Sequence, residues 1–312
     1  MSNCKYIFGF ILIAGLCSCE NSGTGKTDTP TSGNAFISVD ESYKLILDAE
    51  LDMFHYLYVD AHITAEVKPE GDVINTLLNN DSCRAAIISR KLTNEEKKFF
   101  ESKKSYPIET KVAIDAVAFI VHNNNKADSM SVAQLRDIFS GKIKLWNQVD
   151  STSQSDSLVI IFDAKNSANA RYLNEKFLGG SSQFPKNCFA VNSNPDVINY
   201  VSEHPNSIGI ISVNWISDRD DSISHDFLKK VKPVALSSDL NPYLFYQPYQ
   251  AYIADGSYPL VRDVWMINRE GRSGLGTGFI AFVAGEKGQR IILKGGMVPA
   301  TMPTRIVEFK TQ

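Results

Sequence analysis

The chain has 312 residues, 43% of them hydrophobic, with 32 Lys and Arg against 35 Asp and Glu and a formal net charge of −3. That length can bury a large core in one or two domains. A slightly acidic chain lacks the basic excess that a nucleic-acid partner calls for, so an anionic ligand would have to be caught by local geometry.

In chain order, Lys5 is followed by a run, residues 6–16, that is apolar apart from two glycines. It is shorter than the about 20 residues a membrane span needs and has the form of a signal-peptide core, assigning residues 1–18 to a cleaved leader. The run ends in Leu16-Cys17-Ser18-Cys19, which resembles a bacterial lipobox with Cys19 as the acylated residue. Residues 19–34, rich in Gly, Ser, Thr and Asn, have almost nothing to bury and are expected to form a lipidated flexible tether. Beyond them no stretch is long and apolar enough to cross a membrane. Cys83 and Cys188 are the cysteines of the body. Either they pair, as an oxidising compartment allows, or they are two buried free thiols.

Strands and helices then alternate. Residues 35–39 predict a strand, and the spacing of Ile46, Ala49, Met53 and Leu57 predicts a helix. Residues 61–67 are expected extended, 73–78 helical, and 85–88 a buried strand. Thr93 with Glu96, and Ser131 with Gln134, form capping boxes at helix starts, and Gly141 is placed just past the end of the second. Residues 112–121 read as a long apolar strand interrupted by one acid, Asp115. Residues 159–162 predict a strand and 167–178 a helix; Asn194-Pro195 opens another helix, which Pro205 ends, before a strand at 208–213. The last part predicts a strand at 264–267, a Gly-rich turn and one helix over 279–293. Short connections between alternating elements point to an α/β fold with mostly parallel sheets.

Catalytic and metal signatures are missing. The five histidines are scattered, and the chain has no nucleophile elbow, Walker A lysine or cysteine cluster. Gly274-Leu275-Gly276-Thr277-Gly278 has the wrong spacing for a dinucleotide fingerprint and no acid about 20 positions on; it reads as a tight turn that lets a helix pack closely. No metal or cofactor is expected. At the strand-to-helix junction of 159–178, Ser167 is either a plain helix N-cap or part of an anion seat on free backbone N–H groups.

Four phrases in order, AAIISRKLTNEE (residues 85–96), QLRDIFSGKIKLWNQV (134–149), YIADGSYPLVRDVWMI (252–267) and FIAFVAGEKGQRIILKGGMVPA (279–300), resemble the PstS-like family of phosphate ABC-importer substrate-binding proteins. The resemblance spans residues 36–309. It implies a two-lobed periplasmic-binding-protein type II fold joined by two crossover hinge strands, at 112–121 and 260–267. Lobe I would be 36–112 plus 264–312, and lobe II 113–263.

By the same resemblance a small oxyanion, phosphate foremost, sits between opposed helix starts, held by Ser42, Tyr43, Ser89, Arg90, Ser167, Ala168 and Asn169. The implied protein is a monomer that is lipid-anchored on the periplasmic side of a bacterial membrane, hands its ligand to an ABC permease and is not an enzyme. Where the family's lobe II phrase is R-x-x-x-S-G-T, this chain has Asp163, Ser167, Ala168 and Asn169. Those departures leave open a sensor or adhesion lipoprotein on the same fold, with another small ligand or none.

Overall fold

A computed structural model describes residues 28–153, 155–180, 183–217 and 222–303. The leader, Cys19 and the first part of the tether lie outside them. In lobe I, β1 (Gly33–Asp40), α1 (Lys44–Leu57), β2 (Ala61–Lys68), α2 (Glu70–Asn79), β3 (Cys83–Ile88) and α3 (Asn94–Ser102) alternate, and β4 (Ile108–His122) leads out. Lobe II follows with β5 (Ser129–Ser131), α4 (Val132–Phe139), β6 (Val159–Phe162), α5 (Ala168–Leu178), β7 (Cys188–Ala190), α6 (Asn194–Glu203) and β8 (Ser207–Ser212). It continues through α7 (Ser222–Lys230), β9 (Val231–Pro233), β10 (Ala235–Ser237) and α8 (Gln250–Ala254). The chain returns along β11 (Val261–Asn268) to α9 (Leu275–Ala284), α10 (Glu286–Lys294) and β12 (Val298–Pro299).

The strands run β2-β1-β3-β11-β4-β8-β6-β7 across one mixed sheet that serves both lobes. β1 is parallel to β2 and β3, and β6 is parallel to β7 and β8. β4 and β11 are the crossovers, antiparallel to each other, and place Asp115 opposite Arg262. The near-continuous apolar run of β4 follows from cover on both faces. Its first half meets β11 and β12, its second β8 and β9. The buried apolar side chains form separate clusters: one around Ile37, Leu47, Phe54 and Phe279, one around Val73, Leu77, Ile88 and Phe100, and the third around Phe119, Phe139, Ile160 and Ile198. Both capping boxes form as predicted, and Gly141 has φ +75°. Among the described residues no helix is long and apolar enough to cross a membrane.

Three expectations change. The buried face of α1 is Leu47, Glu50 and Phe54, while Met53 is exposed. Two apolar rows compete on this helix, and Phe54 decides between them by packing edge-on against Phe279 and Phe282. The single helix expected over 279–293 is two, broken at Gly285 (φ −80°, ψ 174°). Gly288 lies so close to the backbone of Val283 that a Cβ there would meet it at 2.4 Å, so the second helix can fold back tightly on the first. Finally, residues 28–34 are docked rather than loose: the Asp28 carboxylate pairs with Arg272 and accepts from Leu275 N, and Gly33 begins β1.

The Gly-rich stretch contributes the close packing read from it, as the first turn of α9. A Cβ on Gly278 would stand 1.8 Å from the Pro30 carbonyl oxygen. Gly278→Ala is therefore expected to lift residues 28–32 off α9, costing about 1–3 kcal/mol as an overpacked site does. Faster amide exchange confined to that segment, with a lower melting midpoint, is the measurement. The two cysteines are free, one in each lobe, so of the two readings the unpaired thiols hold. Burial pushes the Cys83 thiol up to about 11 and that of Cys188 to about 12, which keeps both inert.

Candidate ligand-binding site

Four helix starts meet where the lobes face each other. Lobe I supplies the short turn Glu41–Tyr43 ahead of α1, and the start of α2. Lobe II supplies α5, capped by Ser167, and α6, capped by Ser193. The lobes touch: Gly71 N donates to Asn166 O across the cleft at 2.9 Å, and Asn214 Nδ2 donates to the Ser42 carbonyl at 3.1 Å. Beside the Gly71–Asn166 contact a groove of about 800 Å³ opens, edged by Arg90, Arg171, Phe184 and Phe189.

Helix starts carry free N–H groups and partial positive charge, and here the chain's own carboxylates gather on them. Asp163 accepts from Ser167 Oγ at 2.5 Å, Asn169 Nδ2 at 2.9 Å and Asn194 Nδ2 at 3.3 Å. Glu41 of lobe I accepts from Asn194 N at 3.2 Å and from its amide Nδ2. Glu70 Oε1 accepts from both N and Oγ of Ser89 at 2.7 Å, and its Oε2 from Arg171 Nε of lobe II at 2.6 Å. Burial raises Asp163, and it raises Glu41 to about 7 despite the bonds from Asn194. In Glu70 the same burial is outweighed by the charge of Arg171 and the Ser89 donors, which hold it below the usual range.

At the hinge, Arg262 Nε donates to Asp115 Oδ2 at 2.9 Å, and Asp115 Oδ1 accepts from Ser212 Oγ at 2.9 Å. Arg262 Nη2 lies 2.8 Å from the same Asp115 oxygen but off the hydrogen-bonding direction. The guanidinium sits over the Tyr43 ring, 5.8 Å from its centre. Around this stack several fully buried polar atoms have no partner among the described residues: Ser42 Oγ, Tyr43 Oη, Asp40 Oδ2, Asn169 Oδ1 and Arg262 Nη1. Burial, then the nearby charge of Glu70, pushes the Asp40 carboxyl well above the carboxylate range. The cluster thus offers hydroxyl and guanidinium donors and one amide acceptor, with the Asp40 carboxyl beside them.

Of the residues singled out in the sequence, Ser42, Tyr43 and Asn169 lie in this cluster, and Ser167 and Ala168 are buried beside it. Ser167 is a helix cap, accepting from Ala170 N at 3.1 Å while it donates to Asp163. Ser89 has both donors on Glu70. Arg90 spends both terminal nitrogens on Glu96, at 2.8 and 2.7 Å, where it edges the groove, and Arg171 and Arg262 are further cations between the lobes. Sequence reasoning missed Arg262, Arg171, Glu70 and Asn194. One signal was present for the hinge pair: a single acid in one apolar crossover strand and a single arginine in the other. Arg171 and Glu70, 101 positions apart, carry no comparable sign.

These features, two α/β lobes on crossover strands with a polar seat between them, define a bilobed substrate-binding protein. Residues 24–287 match the family model described as the PBP superfamily domain, and the chain belongs to that superfamily. It is similar to the phosphate-binding protein PstS of Staphylococcus aureus, 25% identical over 95% of this chain and 86% of that one. It is also similar to PstS of Pseudomonas aeruginosa, 26% identical over 71% of this chain and 68% of that one. Its fold matches an ABC-type phosphate transport receptor from Vibrio cholerae with a TM-score of 0.63 and 20% identity, covering 86% of this chain and all of that one. Within the superfamily the chain is a PstS-like substrate-binding protein.

Proposed function

We propose that the cleft binds a small oxyanion bearing a proton, inorganic phosphate foremost, and that the protein delivers it to an ABC permease. The carrying observation is the set of unpartnered buried atoms around Arg262 and Tyr43. Buried polar groups are almost always hydrogen-bonded, so this group asks for a guest. Hydroxyl and guanidinium donors suit the oxygens of an oxyanion, and Asn169 Oδ1 suits its proton. Two relatives bearing the name phosphate-binding protein support the choice. The lobe division, the lipid anchor at Cys19 and the monomeric, extracytoplasmic state belong to the same reading. So does binding without turnover: the hydroxyls of Ser89 and Ser167 donate to carboxylates, that of Ser42 has no partner among the described residues, and no described histidine bonds to them.

The test is calorimetric titration of inorganic phosphate into the purified protein, with sulfate in parallel. Saturable binding of phosphate is expected, with about 2.7 kcal/mol of added stability at a hundred times the dissociation constant, and its loss in Arg262→Met. Heat from neither anion sinks the reading. The carboxylates on the helix starts favour a second one, a sensor or adhesion protein with a different small ligand. Phosphate binding without any stimulation of a reconstituted permease would select it.

A further inference from the structure

The environment of Glu70 is that of a bound oxyanion. Its two carboxylate oxygens receive a backbone N–H, a serine hydroxyl and a guanidinium, at 2.6–2.7 Å, in a position 1% exposed to solvent. The donors come from both lobes: Ser89 follows β3 of lobe I, whereas Arg171 lies on α5 of lobe II. Arg171 closes the ring by donating from Nη2 to Ser89 Oγ at 2.7 Å. Next to this ring, Gly71 N reaches Asn166 O across the cleft. A two-lobed protein closes when something binds the closed form better than the open one. Here a side chain of lobe I meets that requirement, with charge-assisted bonds that are among the stronger ones available.

We propose that Glu70 is an internal ligand: its carboxylate occupies an oxyanion seat made by Ser89 and Arg171, latches the lobes together when no guest is present, and competes with anionic guests for the same donors. The latching part stands on the geometry alone. The competing part rests on the oxyanion reading of the cleft. Glu70 is a specificity-determining residue in this scheme. It withdraws Arg171 and Ser89 from the ligand, and its fixed negative charge opposes dianions more than monoanions.

Glu70→Gln and Arg171→Met, singly and together, test this in the mature chain, with a cooperative melt and near-ultraviolet circular dichroism showing that each variant folds. Small-angle scattering without ligand should give a compact envelope for the parent and a larger, opened one for either variant, the double variant opening no further than the singles. Calorimetry with inorganic phosphate at pH 8 should show Glu70→Gln binding about ten-fold more tightly, as one charge-assisted donor set is returned to the guest. An unchanged envelope in a folded Glu70→Gln protein overturns the latch. Phosphate binding that is unchanged or weaker in Glu70→Gln overturns the competition. If no form of the protein binds phosphate, the ligand assignment fails, and the scattering still decides the latch.

Discussion

Asp115→Asn is expected to destabilise the protein by about 3–5 kcal/mol, the range for breaking one partner out of a buried ion pair. Both side chains are essentially sealed from solvent, and Asp115, paired with Arg262 and accepting from its Nε, is the counter-charge of the guanidinium. The amide leaves the guanidinium without its counter-charge in the middle of the hinge, where β4 and β11 cross. Urea unfolding of parent and variant measures the cost, with an unchanged slope showing that the midpoint shift is a stability change. Replacing both residues, Asp115→Leu with Arg262→Met, should recover most of the stability, because apolar neighbours tolerate an apolar pair. Ligand binding should stay lost, since the seat has lost its guanidinium. A cost below 1 kcal/mol for Asp115→Asn would mean that water reaches the pair.

The second large effect is a pH dependence centred on Glu50. This residue is 3% exposed, and both carboxylate oxygens are without a partner among the described residues. It faces a small cavity walled by Tyr43, Leu47, Val112, Met266, Phe279 and Ile292. Burial alone raises its pKa from 4.5 to about 8. A raised carboxyl pKa means that the folded state holds a proton the unfolded chain releases. The stabilisation linked to that proton is complete below pH 4.5 and is lost as pH rises to about 8, at up to about 1.4 kcal/mol per pH unit. Glu41, at about 7, adds a loss of the same sign between pH 4.5 and 7. Glu50→Met fills the same space without a charge. It should raise stability most at pH 8 and lessen the fall between pH 4.5 and 8, leaving the contributions of Glu41 and of the other carboxyls that burial raises, Asp40, Asp115 and Asp163. Equal pH dependence in the two proteins would show that Glu50 is neutralised or solvated in another way.

Both effects bear on what could be read before the fold was known. Asp115 stood out as an acid in an apolar strand, so a buried charge was foreseeable, and the pairing followed once β11 was placed antiparallel beside β4. Glu50 could not be foreseen. On α1 the row Ile46, Ala49, Met53, Leu57 is as apolar as the row that includes Leu47 and Phe54. The choice between them was made by the two phenylalanines of α9, more than 220 positions away in the chain, and Glu50 was carried inward with Phe54.

The site divides in the same way. Ser42, Tyr43, Ser167 and Asn169 sit at strand-to-helix junctions, which local propensities and the family phrases mark, and the structure brings these residues to one cleft. The partners of their polar atoms were not legible. Arg90 edges the groove, but its two terminal nitrogens are held by Glu96, because a capping-box acid lies within reach of both. Arg171 lies in a helix whose pattern would suit a solvated face.

By itself the sequence determined the alternation of strands and helices, the capped helix starts, the crossover strands and the superfamily, since these depend on short-range patterning and on turn and cap chemistry. Tertiary structure alone decided which carboxylate meets which donor. Those meetings join residues tens to hundreds of positions apart. Their energies depend on burial and opposed charge, which exist only once the two lobes face one another.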